Sequence, residues 1–456
     1  MSISIGGRDY SSLHFAGIMG SGMSAIAQYL AWEGLAITGS DRIAFANEMK
    51  ETKEKLERCG CVLSPQDGSG VTAATEALVI STAIEDHNPD IAAARKCGIP
   101  VLHRSDVLAA IVASHRTIAV CGTSGKSTVT ALVFEILRAC GQSPSVIAGA
   151  NLIRLSEEGW LGNAFRGGSG LLVMEADESD GTLVKYRPEK AVFLNISKDH
   201  QTVIRTLELF ERLAGQTPLV IKNGDDPELK SIQAARLFGL LDGADCRPEA
   251  VKAVTPSVRF TLKGVDFAFP LPGCHNLSNA LAALCVCQDQ GCNLESMVEP
   301  MRKFRGVARR FSVSRTPKGA TVIDDYAHNP DKIKAALLAA RDFGARIFAV
   351  FQPHGYGPTR FLKDELVETF AGLIRNTDEV YFLPIYYPGG TVKRDISSED
   401  LADGVGKRGG RSYAPQSRQE LMADLARRVK PGDAVIVMGA RDPTLSLLAK
   451  EIKNSL

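Results

Sequence analysis

The stretch Arg116-Thr-Ile-Ala-Val-Cys-Gly-Thr-Ser-Gly-Lys-Ser-Thr128 decides the fold of the region around it. It starts as an apolar run typical of a buried strand and continues into a glycine-rich loop. The next residues, 129–138, are apolar at helical spacing, and Gly141 marks the end of the predicted helix. A loop between a buried strand and a helix N-terminus holds phosphate oxygens, because backbone N–H groups and the positive end of the helix dipole face the ligand. The sequence therefore predicts a nucleoside triphosphate site.

The residues of this loop have distinct expected roles. Lys126 is expected to reach the β- and γ-phosphates, and the Ser127 hydroxyl is expected to ligate the Mg²⁺ that accompanies them. The strict loop pattern begins with a glycine where this chain has Val120. A glycine turn with a solvated lysine is the alternative, but the order of strand, loop, lysine, hydroxyl and helix favours nucleotide binding. The predicted phosphate-binding residues are Gly122, Thr123, Gly125, Lys126, Ser127 and Thr128.

Length and composition indicate a multidomain globular protein. The 456 residues are expected to form about three domains. The formal net charge of +1 gives no electrostatic reason to bind nucleic acid or an anionic membrane. With no signal-peptide pattern and no apolar run of about 18 residues, we expect a cytoplasmic protein. The ten cysteines contain no C-x-x-C pair and are expected to be reduced thiols.

Residues 1–111 are predicted to form an N-terminal Rossmann-like domain. A strand at 12–16 leads into a glycine turn and a helix, and a second strand at 35–38 leads to Asp41. This order is typical of a βαβ unit that binds a diphosphate at the helix start and a ribose at the acid. The glycine spacing is G-x-x-G-x-G rather than G-x-G-x-x-G, so a purely structural turn is the alternative. The predicted ligand-facing residues are Gly17, Gly20, Ser21, Gly22, Met23 and Asp41.

Residues 112–305 are predicted to form a central domain on a parallel sheet that carries the phosphate loop. Two further apolar strands end in polar residues, one within 171–180 and one within 191–200. Parallel sheets keep their ligand sites at the carboxyl ends of the strands, so these side chains are expected near the loop. Oxygen ligands suit a Mg²⁺–triphosphate complex. The predicted metal ligands are Ser127, Glu175 and His200.

Two later segments of the central domain carry their own patterns. Residues 258–269 alternate as an exposed hairpin does. A helix that begins near residue 273 presents Asn276 and Asn279 on one side of its first turn. Capping of the helix explains one asparagine more readily than both.

Residues 306–456 are predicted to form a third, doubly wound α/β domain, because short apolar strands alternate with helices. Polar residues again collect where strands end. Asp325, Tyr326 and His328 follow the first strand, and Arg360 follows the second. We expect a ligand at this edge too.

Many of these residues occur in stretches that match motifs of a known family. The stretches are 17–24 with 39–41, 122–127, 175–180, 195–200, 275–279, 309–311, 324–330, and 351–354 with 359–360. Together and in this order they resemble the Mur ligase family of peptidoglycan synthesis, over nearly the whole chain. The resemblance implies an N-terminal Rossmann-like domain for a UDP-sugar, a central P-loop ATPase domain, and a C-terminal Rossmann-like domain that receives an amino acid.

The resemblance also implies roles for individual residues. The loop 17–23 should face the diphosphate of the UDP-sugar. Lys126 should neutralise the triphosphate of ATP, while Ser127 and Glu175 hold one Mg²⁺ and His200 meets a second. Asn276 and Asn279 should contact the adenine, and Arg310 and Asp325 should contact the phosphate and ribose side of ATP. The acceptor amino acid or the acyl intermediate should meet Tyr326, His328 and Arg360. Of these, Arg360 should be the partner of the acceptor carboxylate.

Within the family, the motifs are most similar to those of members that join L-alanine to UDP-N-acetylmuramate. ATP phosphorylates the substrate carboxylate in such ligases, and the amine then attacks the acyl phosphate. A ligase that recycles murein tripeptide is one alternative, and a folate-type ligase is another, which the N-terminal loop disfavours. A non-catalytic nucleotide-binding protein is a third, which the intact loop disfavours. We expect a monomer or a homodimer.

Several positions depart from the family pattern. Ser124 stands where alanine-adding members usually carry histidine, and residues 197–200 replace a more acidic segment. Gly355 replaces a common arginine, residues 438–445 are not the usual glycine loop, and the middle domain looks shorter after residue 200. These departures bear on the choice of substrate more than on the ATP chemistry.

Overall fold

The structure, a computed structural model, describes residues 1–197, 201–254, 257–387 and 393–456. It divides into two compact units, Met1–Val307 and Ala308–Leu456. The predicted boundary between residues 305 and 306 lies close to this division. The predicted boundary between residues 111 and 112 lies inside the first unit and stays a prediction.

The first unit begins with a β-hairpin and a five-stranded, fully parallel sheet. The sheet order is β5-β4-β3-β6-β7, so β4 and β5 are added on one side of β3, and β6 and β7 on the other side. The strands are β1 Ile3–Ile5, β2 Arg8–Tyr10, β3 Ser12–Ala16, β4 Ala36–Ser40, β5 Val62–Ser64, β6 Ala77–Ile80 and β7 Val101–His103, and the helices are α1 Ser21–Trp32, α2 Lys50–Arg58, α3 Pro89–Lys96 and α4 Arg104–Ala113.

A second, seven-stranded sheet in the same unit carries the phosphate loop. Its order is β10-β9-β11-β8-β12-β13-β14, and all its pairs are parallel except β10 with β9. The strands are β8 Arg116–Cys121, β9 Ser145–Ile147, β10 Ala164–Phe165, β11 Leu171–Ala176, β12 Lys190–Phe193, β13 Leu219–Asn223 and β14 Arg236–Phe238, and the helices are α5 Lys126–Ala139, α6 Ile153–Glu157, α7 Val203–Ala214, α8 Cys274–Asp289 and α9 Leu294–Arg302.

Strand β8 lies between β11 and β12, the two strands predicted to deliver polar residues, so the loop after β8 sits between their carboxyl ends. Helix α5 is buried on nearly all sides, as expected for a helix that is apolar around its circumference.

The predicted hairpin is confirmed as β16 Ser257–Leu262 and β17 Val265–Phe269, and a third strand, β15 Ala250–Val254, pairs with β16. The predicted alternation is confirmed: Val258, Phe260 and Phe269 pack into the core that also contains α8 and α9, while Arg259 and Asp266 on the other face are exposed.

The second unit has a six-stranded sheet with helices on both faces. The order is β18-β19-β23-β20-β21-β22, and only β18 is antiparallel to its neighbour. The last strand, β23, therefore lies between β19 and β20. The strands are β18 Ser312–Arg315, β19 Thr321–Asp325, β20 Ile347–Gln352, β21 Glu379–Phe382, β22 Ser412–Tyr413 and β23 Ala434–Gly439, and the helices are α10 Pro330–Ala340, α11 Tyr356–Phe361, α12 Lys363–Leu373, α13 Ser398–Gly406, α14 Arg418–Arg428 and α15 Leu445–Ser455.

Helix length also bears on membranes. The longest helix among the described residues is α8, with 16 residues. At about 1.5 Å per residue it would span about 24 Å, less than the roughly 30 Å hydrocarbon core of a bilayer. Within the described ranges, no helix is long and apolar enough to cross a membrane.

Candidate active site

The phosphate loop joins β8 to α5 and requires glycine at two positions. Gly122 has φ 155° and Gly125 has φ 86°, both in the region that favours glycine. A Cβ atom on Gly125 would lie 2.5 Å from Asn279 Oδ1, and a Cβ atom on Gly122 would lie 2.9 Å from Leu194 Cβ. The loop therefore packs tightly against Asn279 of α8 and against Leu194, which follows β12. Among the described residues no side chain caps the N-terminus of α5, so its first N–H groups are available to phosphate oxygens.

Lys126 is held by two oxygens at the base of the loop. Its Nζ donates to Gly122 O at 2.7 Å and to Glu178 Oε2 at 2.7 Å, and Asp177 Oδ1 lies 3.8 Å away. The side chain is only 11% exposed. Burial disfavours its charge, but Glu178, Asp177 and Glu175 outweigh this effect and raise the pKa of Lys126. The side chain is a fixed ammonium ion.

Ser127 and Glu175 meet beside this lysine. Ser127 Oγ donates to Glu175 Oε2 at 2.9 Å, and the backbone N–H of Gly149 donates to the same oxygen at 2.9 Å. The structure thus brings together two of the three predicted metal ligands. The third, His200, lies outside the described residues. Within those residues no cluster of three or more His, Cys, Asp or Glu side chains could hold a metal, but two oxygen ligands suit Mg²⁺, which keeps waters and takes phosphate oxygens.

Asn195 fixes the loop from the end of β12, although no specific role was predicted for this residue. Its Oδ1 accepts from Ser124 N at 2.9 Å and from Thr123 Oγ1 at 3.0 Å, and its Nδ2 donates to Ser124 O at 3.0 Å. Thr123 N also donates to Asn195 O at 3.2 Å. Both donors of Thr123 are therefore engaged within the protein. Asn195 could have been singled out because it directly follows an apolar strand beside the loop.

The predicted adenine residues lie next to the loop. Asn276 Nδ2 donates to Pro272 O at 2.7 Å, and Asn279 Nδ2 donates to Asn276 Oδ1 at 3.2 Å. Both side chains are buried, and Asn279 faces Gly125. They share one side of the first turn of α8, as predicted, and their contact with adenine stays a prediction.

The N-terminal loop lies at the carboxyl ends of β3 and β4. Gly17 N and Ile18 N donate to Ser40 O at 2.8 and 3.0 Å. Asp41 accepts from Met19 N at 3.1 Å and from Ile43 N at 3.2 Å, while burial raises its pKa. No side chain in the described part of the chain caps α1. The predicted residues Gly17, Gly20, Ser21, Gly22, Met23 and Asp41 thus surround an open helix N-terminus.

Arg104 connects this N-terminal loop with the acidic segment after β11. Its Nη2 lies 2.7 Å from Asp180 Oδ2, and its Nη1 would lie 3.2 Å from a Cβ atom on Gly22. Arg104 was not among the predicted site residues. Its position directly after β7, at the same sheet edge as Asp41, is the signal that could have found it.

In the second unit, Asp325 and Tyr326 follow β19. The Asp325 carboxylate accepts from Phe311 N at 2.7 Å and from Ala327 N at 2.8 Å. Burial raises its pKa, and nearby Arg310 opposes this shift. The Arg310 guanidinium lies 5.2 Å from the centre of the Tyr326 ring. The predicted pair Arg310 and Asp325 is therefore adjacent.

His328 and Arg360 have different surroundings. His328 Nδ1 lies 2.9 Å from Tyr326 O, and its ring centre lies 5.6 Å from those of Tyr326 and His354. Arg360 Nε donates to Asp395 Oδ1 at 2.8 Å and its Nη2 donates to Lys393 O at 2.9 Å. The arginine predicted to bind the acceptor carboxylate already has a carboxylate partner.

A cavity of about 260 Å³ also lies in the second unit, near the carboxyl end of β21. Arg394, which lies over the rings of Tyr356 and Tyr387 at 5.7 and 5.3 Å, is part of its wall. None of the predicted site residues that the structure describes lines this cavity.

Comparisons with known proteins cover nearly the whole chain. Three domain families match in order: the Mur ligase family, catalytic domain, at residues 12–116, the Mur ligase middle domain at 120–287, and the Mur ligase, glutamate ligase domain at 309–441. UDP-N-acetylmuramate–L-alanine ligase of Pelotomaculum thermopropionicum is 35% identical over 94% of this chain and 95% of its own length. The same enzyme of Symbiobacterium thermophilum is 35% identical over 94% of this chain and 92% of its own.

Solved structures agree on the fold. UDP-N-acetylmuramate–alanine ligase of Thermotoga maritima has a TM-score of 0.80, is 27% identical, and matches over 97% of this chain and 98% of its own. A murein peptide ligase of Psychrobacter arcticus has a TM-score of 0.72 at 19% identity, over 97% of this chain and 98% of its own. At that identity the likeness supports the fold alone.

Proposed function

The chain belongs to the Mur ligase family, and from this premise we propose that it is an ATP-dependent ligase that joins L-alanine to the carboxylate of UDP-N-acetylmuramate in peptidoglycan synthesis. The observation that carries the ATP-dependent part is the 2.9 Å contact of Ser127 with Glu175 beside Lys126. The relatives at 35% identity that carry the name of this ligase favour L-alanine over a peptide acceptor.

The chemistry explains why a triphosphate site is needed. A free carboxylate is a poor electrophile toward an amine, so the γ-phosphoryl group of ATP is first transferred to it and ADP leaves. The neutral amine of the amino acid then attacks the acyl phosphate, and the intermediate collapses to an amide with release of phosphate and a proton. Charge on the transferred group must be stabilised during the first step.

The residues around the loop suit this first step. The first N–H groups of α5 and the Lys126 ammonium would bind the β- and γ-phosphates and stabilise the charge of the transition state. Ser127 and Glu175 would hold Mg²⁺, which supplies a Lewis acid to the phosphate oxygens when bound. We also propose a second ion at His200, and adenine contacts at Asn276 and Asn279.

We assign the sugar nucleotide to the edge of the five-stranded sheet and the acceptor to the edge of the sheet in the second unit. The open N-terminus of α1 and the loop before it would bind the diphosphate of UDP-N-acetylmuramate, with Arg104 beside them. In the second unit, Arg310 and Asp325 would meet ATP, and Tyr326 and His328 would meet the acceptor. We place the activity in the cytoplasm, where ATP is available, and propose a monomer or a homodimer.

Acceptor-dependent release of ADP tests the proposal. The purified protein is given ATP, Mg²⁺ and UDP-N-acetylmuramate with L-alanine, glycine, L-serine or murein tripeptide in turn, and the product is identified by its mass. The highest kcat/KM is expected with L-alanine. Release with the tripeptide but not with L-alanine would support the recycling alternative, and no release with any acceptor would contradict the ligase assignment.

A further inference from the structure

The turn after β23 stands at the centre of the second unit's sheet edge. Strand β23 lies between β19 and β20 and ends at Gly439, so residues 440–442 follow at the carboxyl end, where parallel sheets bind ligands. The backbone N–H of Arg441 lies 3.4 Å from Tyr326 Oη, the residue after β19. Arg441 is therefore next to the proposed acceptor residues.

Arg441 occupies a strained backbone conformation. Its φ is 61°, and the N–H of Asp442 donates to Ala440 O at 2.7 Å across it. A γ-turn with positive φ at its central residue is rare and strained. Glycine would adopt this conformation without penalty, whereas a residue with a Cβ atom is held there only when its surroundings enforce it.

The surroundings do enforce it. Arg309 Nη2 donates to Gly439 O at 2.6 Å on one side of the turn. On the other side, Asp442 is buried, pairs with Arg418 at 2.9 Å, and accepts from Thr444 N at 2.8 Å. The side chain of Arg441 is exposed, and it has no ion-pair partner within the described residues. A rigid frame thus presents an unpaired guanidinium at the sheet edge.

Two other arginines of this edge are paired with carboxylates. Arg360 pairs with Asp395, and Arg309 Nε lies 3.4 Å from Asp324 Oδ1. Arg310 lies over the ring of Tyr326, at 5.2 Å from its centre. Arg441 has no ion-pair partner among the described residues, so its guanidinium is available to an anion.

We propose that Arg441 binds the α-carboxylate of the acceptor amino acid and is a specificity-determining residue for the acceptor. This inference rests on the proposed function. Arginine binds a carboxylate through two parallel N–H···O hydrogen bonds, which fix orientation as well as charge. Holding the carboxylate at Arg441, beside Tyr326, leaves the amine at the other end of the small acceptor unbound and free to act as the nucleophile.

The test compares R441G with the wild-type protein on L-alanine and on L-alaninamide, at matched concentrations of unprotonated amine. R441G removes the guanidinium and also relieves the strained φ. We expect the KM for L-alanine to rise about 10- to 100-fold, as for loss of a charge-assisted hydrogen-bonded pair, with little change in kcat. The KM values for L-alaninamide, ATP and UDP-N-acetylmuramate should stay within about twofold, and the thermal unfolding midpoint should not fall.

K263G is the matched control. Lys263 is also an exposed cation with positive φ, 50°, but it lies in the turn between β16 and β17. This variant should leave every KM unchanged. In addition, R441K, which keeps the charge without the planar fork, should recover part of the affinity for L-alanine.

The outcomes separate this inference from the proposed function. ADP release with L-alanine and an unchanged KM in R441G would overturn the assignment of Arg441 alone. An equal rise of KM for L-alanine and L-alaninamide would also overturn it, because the effect would not depend on the carboxylate. No release with any acceptor in the wild-type protein would overturn both proposals.

Discussion

Lys126 Nζ lies 2.7 Å from Glu178 Oε2, so the cation proposed to bind the triphosphate is held by a carboxylate of its own sheet edge. Both side chains are nearly buried, at 11% and 4% exposure. The pair keeps Lys126 charged and directed at the loop. On binding, phosphate oxygens would replace Glu178 as the partner of Lys126. Because the protein already holds this side chain in place, ordering it costs little conformational entropy.

Substitution of Lys126 by alanine should strongly lower kcat without preventing the sugar nucleotide from binding. Loss of one preorganised charge from the transition state is expected to lower kcat about 100- to 1,000-fold. Binding of UDP-N-acetylmuramate, measured by calorimetry, should be unchanged. K190A is the control, because Lys190 is equally buried and lies 2.5 Å from Asp289 Oδ2, but at the amino end of β12. K190A should lose stability and keep its kcat; a K126A variant that also keeps its kcat would contradict the assignment.

The local parts of this site could be predicted from sequence, and the long-range parts could not. Strand β8, the loop and α5 follow one another along the chain, so the roles of Lys126 and Ser127 could be predicted from the local sequence. The pairing of Arg104 with Asp180 joins residues 76 positions apart, and the position of β23 between earlier strands depends on the whole sheet. Arg360 was predicted to be a partner of the acceptor carboxylate, and its pairing with Asp395, 35 residues away, could not be predicted from its motif.

Substitution of Glu175 by glutamine should change the demand for Mg²⁺. Glutamine can still accept from Ser127 and Gly149 through its amide oxygen, so the fold should be kept while a charged ligand is lost. The half-saturating Mg²⁺ concentration should rise about 10-fold or more, since even outer partners of metal ligands are worth about 10- to 100-fold. E135Q, a buried glutamate of α5 outside the site, is the control. Equal Mg²⁺ dependence in E175Q and E135Q would show that Glu175 is not a ligand.

Glu135 should make stability depend on pH. Burial raises its pKa to about 7 from an ordinary value of 4.5, although Arg154 Nε donates to it at 3.2 Å and opposes the shift. The native state therefore binds the proton more tightly than the unfolded chain does. The free energy of unfolding should fall as pH rises from about 4.5 to about 7, by on the order of 3 kcal/mol, and then level off. The thermal midpoint of E135Q should exceed that of the wild type above pH 7 and match it near pH 4.5; a constant difference across this range would contradict the shift.

Substitution of Arg104 should weaken the binding of the sugar nucleotide more than the binding of ATP. Its guanidinium lies beside Gly22 at the start of α1, so R104A should raise the KM for UDP-N-acetylmuramate about 10-fold, the loss expected for one charge-assisted contact to a diphosphate. K185A is a suitable control, because Lys185 makes a similar contact to Asp106 at 2.6 Å, on α4 near Arg104. An unchanged KM in R104A, or an equal rise in K185A, would remove Arg104 from the site.

Substitution of Gly125 by alanine should damage the loop through contact with α8 as well as through φ. The new Cβ atom would lie 2.5 Å from Asn279 Oδ1, a distance that forces a shift. G141A has a similar φ, 80°, with nothing within 4 Å of its Cβ atom, so it reports the backbone penalty alone. G125A should lower the thermal midpoint more than G141A does and should lose ATP binding. Adding N279A removes the atoms that clash, so the double variant should regain part of the stability of G125A without regaining ATP binding. If G125A and G141A were equally destabilised, the packing of α8 against the loop would not be as close as the structure indicates.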